Sequence, residues 1–257
     1  MAFKILLHTF RMIFGNFGQA LKVSVGPYLI LILGYAVMFG ALSTMADSTV
    51  GVTPLMSIML VVLLPLSLFV AAWVAVSWHR FILLEEYVGF LPTVKDRPIW
   101  PYAAKAILMA LILGLIGVLL FFCYYLLALM PLAAGGRESS SLFGVLSAIV
   151  FVCAFFLLVV ISLRMGPALV ATALGKSMTF RDAVEATSKI RGVIWGVALL
   201  FALLNAILGF AFELIGSAVP ILGIFMSIAL NWLTTLLGIS ILTTIYGHVI
   251  EDRPLIS

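Results

Sequence analysis

Residues 107–129 read ILMALILGLIGVLLFFCYYLLAL and contain no Asp, Glu, Lys or Arg. A helix needs roughly 20 predominantly apolar residues to cross the hydrocarbon core of a bilayer, so this stretch is long enough. The rest of the chain has the same character, because 65% of its residues are hydrophobic and only 9% are charged. Soluble domains carry about 25% charged residues. The sequence therefore predicts an all-α integral membrane protein.

Further apolar runs extend on both sides of this stretch, and we interpret residues 1–257 as a single integral membrane domain. Short connections join the first run to the second, the third to the fourth and the fifth to the sixth, which predicts three helical hairpins. Pro65 lies inside the second run, where neighbouring helices can satisfy the backbone groups that a proline frees. The six predicted spans cover residues 27–45, 55–78, 104–130, 142–163, 193–215 and 221–247.

The basic residues define an orientation. Of the 14 Lys and Arg residues, only Arg137 lies in the connections after the first, third and fifth spans, which leaves 13 on the opposite side. Basic residues near span ends remain on the cytoplasmic side, so we predict that both chain termini are cytoplasmic. The net charge of +4 comes from basic residues at these span ends, where membrane proteins place them. The charge therefore indicates no nucleic-acid partner.

The cytoplasmic segments have patterns of their own. Residues 1–22 place aromatic and aliphatic side chains at steps of three and four, opposite basic ones, and this predicts an amphipathic helix in the headgroup layer. Thr179 and Asp182 have the spacing of a capping box, which predicts a helix start. Residues 80–102 contain three prolines and are expected to be broken, with Trp100 and Tyr102 at the membrane interface.

Four segments carry a family resemblance. They are RMGPA at 164–168, SMTFRDAVEAT at 177–187, RGVIW at 191–195 and WHRFILLEE at 78–86. Together they resemble the membrane domain attached to some bacterial glycerophosphodiester phosphodiesterases and its stand-alone relatives. In the family pattern the Thr stands closer to the Arg-Gly pair than Thr187 does here. The resemblance implies a six-span fold in the bacterial cytoplasmic (inner) membrane, and it implies no hydrolysis.

Membrane lipids, anionic ones above all, are the partners that the cytoplasmic segments indicate. Each basic residue near an anionic surface contributes roughly 1 kcal/mol of attraction. Another membrane protein complex is a second candidate partner. We expect the headgroup contacts at Arg11, Lys22, Arg181, Lys189 and Arg191.

Four polar residues within the last two spans admit two interpretations. Asn205 and Asn231 each lie 13 residues from Ala218, so they are expected at similar depth, where an interhelical hydrogen bond could join them. Helix packing is the favoured interpretation, and a polar transport path is the alternative. Glu213 is expected near the outer interface. The complete set is Asn205, Glu213, Asn231 and Thr235.

The sequence contains no pattern that predicts catalysis. Its three histidines lack acidic or cysteine partners at metal-binding spacing, and no nucleophile or phosphate-binding motif occurs in a supporting context. We therefore predict no enzyme activity, catalytic residue, metal or cofactor. The expected function is lipid organisation or an accessory role in the assembly of a membrane complex. The alternative is a small-molecule or ion transporter.

Overall fold

The structure is a computed structural model that describes residues 1–45, 52–133 and 139–255. These residues form helices and connecting loops, with no strand among them. In chain order the helices are α1 (Ala2–Gly15), α2 (Phe17–Met45), α3 (Val52–Leu84), α4 (Ile99–Ala133), α5 (Ser139–Met165), α6 (Pro167–Ala173), α7 (Phe180–Ala186), α8 (Arg191–Ala218) and α9 (Pro220–Val249), and a 3₁₀ turn (Thr187–Ile190) precedes α8.

Six of these helices, α2, α3, α4, α5, α8 and α9, are long and apolar enough to cross a membrane. The predicted all-α polytopic fold is therefore confirmed. Each predicted span lies inside one of these helices, and each helix is longer than its predicted span. The reason is that hydropathy detects the part of a helix that matches the bilayer, whereas the helix continues to its own capping residues. Arg137, on the opposite side in the prediction, lies outside the described residues.

Two breaks shape the end of the bundle at which α3 ends and α4 begins. The chain turns at Asn16 between α1 and α2, and at Gly166 between α5 and α6. Gly166 lies directly against the side chain of Leu242 in α9, so a larger residue there would require that side chain to move. Pro167 then occupies the first turn of α6, where its missing N–H is not needed. The residues of α6 that follow are almost all buried in the protein.

Most buried side chains lie in this half of the bundle. The buried parts of α3, α8 and α9 are centred on Trp78, Val197 and Ile241, and α1 and α6 pack among them. Helix α9 is central, since it contacts α1, α3, α6 and α8. We call this half the basic end, because the predicted cytoplasmic Lys and Arg residues belong to the helix ends and loops around it.

The connection between α3 and α4 is irregular, as its prolines predict. Residues 85–98 fold back against the helices instead of extending away from them. Trp73 Nε1 donates to the carbonyl of Pro92 at 3.1 Å, and Gly26 of α2 gives the backbone of Phe90 room to approach. This loop therefore closes one side of the basic end.

Candidate functional site: the basic end of the bundle

Three consecutive residues near the end of α3 join several other helices. Trp78 and His79 are fully buried, and Trp78 Nε1 donates to Ser240 Oγ of α9 at 2.8 Å. One turn further along α9, the hydroxyl of Thr243 lies 2.8 Å from His79 Nδ1. Arg80, the third residue, donates to the carbonyl of Ala173 at the end of α6. These contacts fix α3 against α9 and α6.

The hydrogen bonds assign the tautomer of His79. Thr243 Oγ1 donates to the carbonyl of Ile239 at 2.9 Å, so it is an acceptor for a proton on His79 Nδ1. His79 Nε2 is then the acceptor for the hydroxyl of Tyr102, at 3.4 Å. Both ring nitrogens have partners, which indicates a structural role for this histidine. Tyr102, which is expected at the membrane interface, is buried in the protein with His79 as its polar partner.

A charge cluster holds the start of the irregular loop. Glu86 accepts from Arg80 Nε at 2.9 Å and pairs with Arg97 at 3.2 Å. The hydrogen bond from Arg80 lowers the pKa of Glu86, and the charges of Arg80 and Arg97 act in the same direction. Burial lowers the pKa of Arg97. Glu86 is therefore ionised at neutral pH and binds the two ends of the loop together.

Other basic side chains at this end donate to acceptors inside the protein. Lys105 of α4 donates to Met178 O at 2.6 Å and to Thr172 Oγ1 at 2.9 Å. Arg253 donates to the carbonyl of Leu83 in the last turn of α3, at 2.8 Å. The last carbonyls of a helix lack intrahelical partners, and cations are favoured beside them. These residues stabilise the fold, a role that their charge alone did not reveal.

The segment that carries the family resemblance forms a clamp between α5 and α7. Arg164 at the end of α5 donates to the carbonyl of Val184 at 2.8 Å, and Thr187 Oγ1 lies 3.5 Å from its Nε. The capping box at the start of α7 is confirmed: Thr179 and Asp182 exchange hydrogen bonds of 2.9 and 3.1 Å. The clamp and the cap fix the position of α7 at the basic end.

The five basic residues expected to contact headgroups are all exposed. They differ in this respect from Arg80, Arg97, Lys105 and Arg164, which are half-buried and engaged in the contacts above. Arg11 lies on α1 and Lys22 near the start of α2, whereas the other three lie on α7, in the 3₁₀ turn and at the first residue of α8. The exposed set is Arg11, Lys22, Arg181, Lys189 and Arg191.

Helix α1 has three distinct sides. Its buried side packs against α8 and α9, and Ile5, Thr9 and Ile13 are fully buried there. An aromatic side exposes Phe3 and Phe14. The remaining side carries Lys4, His8 and Arg11. The amphipathic pattern at 1–22 is thus divided between α1 and the first turns of α2, and part of its apolar face contacts protein.

A pocket lies beside the basic side of α1. Its volume is about 410 Å³, and α1, α3, α9 and the chain after α9 contribute to its walls. Its ionisable lining residues are His8, Arg11, His248 and Arg253. The pKa of His8 is lowered by burial and by the charges of Arg11 and His248. Sequence analysis missed this pocket because its walls come from distant parts of the chain.

The intramembrane polar residues do not form one group. Asn205 Nδ2 donates to the carbonyl of Phe201 at 2.8 Å, within its own helix. The bond expected between the amides of Asn205 and Asn231 is not formed, and the amide of Asn205 donates within α8 instead. Asn231 and Glu213 are exposed, and Thr235 Oγ1 donates to Asn231 O at 2.7 Å. Asn231 lines a groove of about 670 Å³ between α2 and α9.

Within the described residues, no three His, Cys, Asp or Glu side chains lie close enough together to hold a metal ion. The chemistry of the basic end is that of cations, hydroxyls and histidines beside exposed aromatic rings. Comparison of the chain with models of known protein families, with curated proteins and with solved structures finds no match.

Proposed function

We propose that this chain is a non-enzymatic protein of the bacterial cytoplasmic membrane that binds anionic lipids at its basic end. Its role is to organise lipids or to assist another membrane complex. The single observation that carries the proposal is the division among the basic residues. Arg80, Lys105 and Arg164 are half-buried, whereas a second set is exposed around the same end: Arg11, Lys22, Arg181, Lys189 and Arg191.

The position of α7 supports this function. The clamp by Arg164 and the capping box hold α7 in place, so Arg181 and the two basic residues of the following turn are presented from a fixed segment. Exposed cations can approach lipid phosphates, and each contributes roughly 1 kcal/mol at the headgroup surface. The exposed Phe3 and Phe14 rings of α1 add apolar contacts of the kind that interfacial helices use.

Kinship with the membrane domain of the glycerophosphodiester phosphodiesterases is part of the proposal. Its support is the contact between Arg164 and Thr187, two residues that the family pattern emphasises. In this interpretation the pattern describes a clamp that positions an interfacial helix. It describes no hydrolytic site.

The test is lipid binding by the variant Arg181→Gln/Lys189→Gln/Arg191→Gln. Purified wild type and variant are incubated with vesicles of phosphatidylcholine with and without phosphatidylglycerol, and retained lipids are counted by native mass spectrometry. We expect wild type to retain phosphatidylglycerol selectively and the variant to lose most of that selectivity. Arg181→Lys/Arg191→Lys, which keeps the charge, is the control and should behave as wild type. Equal selectivity in the neutral variant refutes the assignment of these residues.

A further inference from the structure

We propose that the groove between α2 and α9 holds one acyl chain of an anionic phospholipid, whose headgroup lies against Lys22. The groove has a volume of about 670 Å³, and its walls come from α2 between residues 21 and 35 and from α9 between residues 227 and 232. The inference deepens the proposed function, on which it rests, because it names one site and the part of the lipid that occupies it.

Contacts at two levels hold the walls of the groove in place. Trp232 Nε1 of α9 donates to Ser24 Oγ of α2 at 2.8 Å, and the Trp232 ring meets that of Phe17 edge to face, with centroids 6.0 Å apart. Further along α2, the hydroxyl of Tyr35 lies 3.2 Å from that of Ser67 in α3. A site that is fixed in advance loses less entropy when a ligand binds.

The lining of the groove changes from polar to apolar along its length. Asn231 lines the groove beside Trp232, whose bond to Ser24 places both residues near the start of α2. Within the described residues the side-chain amide of Asn231 has no hydrogen-bond partner, so it can donate to an ester or phosphate oxygen. The lining further along α2 is largely aliphatic and includes Leu29, Leu31 and Ile32. This order matches a lipid whose headgroup lies at the start of α2.

A cation stands beside the polar end of the groove. Lys22 is exposed, and it precedes Val25 and Leu29 of the groove wall by three and seven residues. Residues at these spacings share one side of a helix, so Lys22 lies on the side of α2 that borders the groove. An anionic headgroup at this position complements its charge.

The acids of the surrounding elements do not neutralise Lys22. Helices α1, α2 and α9 contain no Asp or Glu. The loop at residues 85–98 approaches α2 at Gly26, and it contains three acids and two basic residues. Glu86 of this loop pairs with Arg80 and Arg97. None of the ion pairs among the described residues includes Lys22, so its ammonium group can pair with a lipid phosphate.

The dimensions of the groove favour an acyl chain over a partner helix. A helix about 10 Å across that followed the groove for about 22 Å would need roughly 1,700 Å³, well above the volume of the groove. An empty groove among lipid chains loses van der Waals contacts along its walls, and a lipid chain restores them. Residues 46–51, outside the described part of the chain, are separated from Tyr35 by about 15 Å of helix.

The experiment fills the groove with a larger side chain. Ile228 of α9 is exposed and lines the groove, whereas Ile207 of α8 is exposed and is not part of its walls. Ile228→Trp is therefore the test and Ile207→Trp the matched control, and Leu29→Trp fills the groove from the opposite wall. The full chain is purified in a neutral detergent, and circular dichroism verifies that each variant is folded. Stepwise binding of phosphatidylglycerol, and of phosphatidylcholine with the same chains, is measured by native mass spectrometry.

We expect wild type to bind one phosphatidylglycerol molecule more tightly than those that follow. Ile228→Trp and Leu29→Trp should weaken this first step severalfold for both lipids, because the indole occupies the space of the acyl chain. Ile207→Trp should leave it unchanged. Lys22→Gln should weaken the first step about fivefold for phosphatidylglycerol alone, because one charge at the headgroup is lost, and Lys4→Gln, on α1, is its control.

Two kinds of result overturn the proposal. If wild type has no tight first step, or if Ile228→Trp and Ile207→Trp have equal effects, lipids surround the protein without a specific site. If a protein or a molecule other than a phospholipid copurifies with wild type and is displaced in Ile228→Trp, that molecule is the occupant of the groove.

The Arg181→Gln/Lys189→Gln/Arg191→Gln variant separates this inference from the proposed function. None of its three residues lines the groove. We expect it to retain fewer phosphatidylglycerol molecules in total while the first molecule binds as in wild type. If wild type retains phosphatidylglycerol selectively and the filled variants bind the first molecule as wild type does, the groove assignment fails and the proposed function stands.

Discussion

The indole N–H of Trp78 has the hydroxyl of Ser240 as its hydrogen-bond acceptor, at 2.8 Å, and both side chains are fully buried. Bulk solvent does not reach this position, so the indole N–H has no solvent acceptor if the pair separates, and the separation lowers the stability of the fold. The neighbouring His79 likewise uses both ring nitrogens for protein contacts. At the scale of single residues, polar groups at the basic end chiefly join helices.

We expect Ser240→Ala to lower the free energy of unfolding by about 1–3 kcal/mol, because a buried N–H is left without an acceptor. Reversible unfolding of the detergent-solubilised protein by SDS, followed by circular dichroism, provides the measurement. Ser217→Ala is the matched control, since Ser217 is exposed at the other end of α8 and bonds only within its helix. A loss of the same size in both variants is incompatible with the role given to Trp78.

Glu86 should make stability depend on pH in the acidic range. Its pKa in the folded protein is lowered by the hydrogen bond from Arg80 and by the charges of Arg80 and Arg97. A carboxylate with a lowered folded pKa stabilises the fold above its unfolded pKa, near 4.3, and this contribution disappears as pH falls through the folded value.

We therefore expect Glu86→Gln to be less stable than wild type at neutral pH, with the difference shrinking once the pH is below about 4. Thermal unfolding of both proteins across this pH range tests the expectation. Glu185→Gln is the control, because Glu185 is an exposed carboxylate of α7 outside this cluster. A difference that stays constant with pH contradicts the assigned role of Glu86.

Sequence analysis predicted some of these single-residue roles and missed others for an identifiable reason. The capping box of Thr179 and Asp182 was predictable because both partners lie within one helical turn. Ser240 and Thr243, which bond Trp78 and His79, lie more than 160 positions away from them, so only the packed structure identifies these partners. The amide of Asn205 was expected to bond across helices, yet it donates to a carbonyl of its own helix.

At the scale of whole elements, α1 shows what a periodic pattern of apolar residues cannot predict. A repeat of apolar residues at steps of three and four identifies an amphipathic helix, but it does not say whether lipid or protein meets the apolar face. In the structure that face is divided: Ile5 and Ile13 contact the bundle, and Phe3 and Phe14 are exposed. Helix α6 was missed altogether, since its seven residues are too few for a periodic pattern.

The approach of α1 to α8 depends on Gly196. A Cβ atom at this position would lie 2.8 Å from the Cβ of Ala2, whereas a Cβ at Gly192, one turn earlier, would meet nothing within 4 Å. We expect Gly196→Leu to displace the beginning of α1 and Gly192→Leu to leave it in place.

A disulfide crosslink measures this displacement. The hydroxyls of Thr9 and Thr244 are 3.4 Å apart, so cysteines at these two positions should crosslink α1 to α9 under mild oxidation. The native Cys123 and Cys153 are replaced by alanine beforehand. We expect Gly196→Leu to reduce the yield of the crosslink severalfold. An unchanged yield in Gly196→Leu shows that the glycine does not determine the position of α1.

At the scale of the whole molecule, buried polar contacts and buried apolar side chains are concentrated at the basic end. The most apolar part of α4 has no buried residue, and α4 packs mainly against its hairpin partner α5. Lipid is the natural environment for such a surface, since lipid tails are as apolar as the side chains they meet. The basic end therefore holds the helices together, and it is also where the exposed cations and the pocket lie.

The two ends of the molecule therefore differ in charge. The positions of the basic residues predict that the basic end faces the cytoplasm. In a background with Cys123 and Cys153 replaced by alanine, we introduce Lys95→Cys at the basic end or Ser217→Cys at the opposite end, both exposed positions. A membrane-impermeant maleimide should label Ser217→Cys in intact spheroplasts and Lys95→Cys only after the membrane is made permeable. Inverted vesicles should show the reverse, which serves as the control. Labelling of Lys95→Cys in intact spheroplasts is the opposite result, and it would place the exposed cations and the pocket away from the cytoplasmic lipid leaflet.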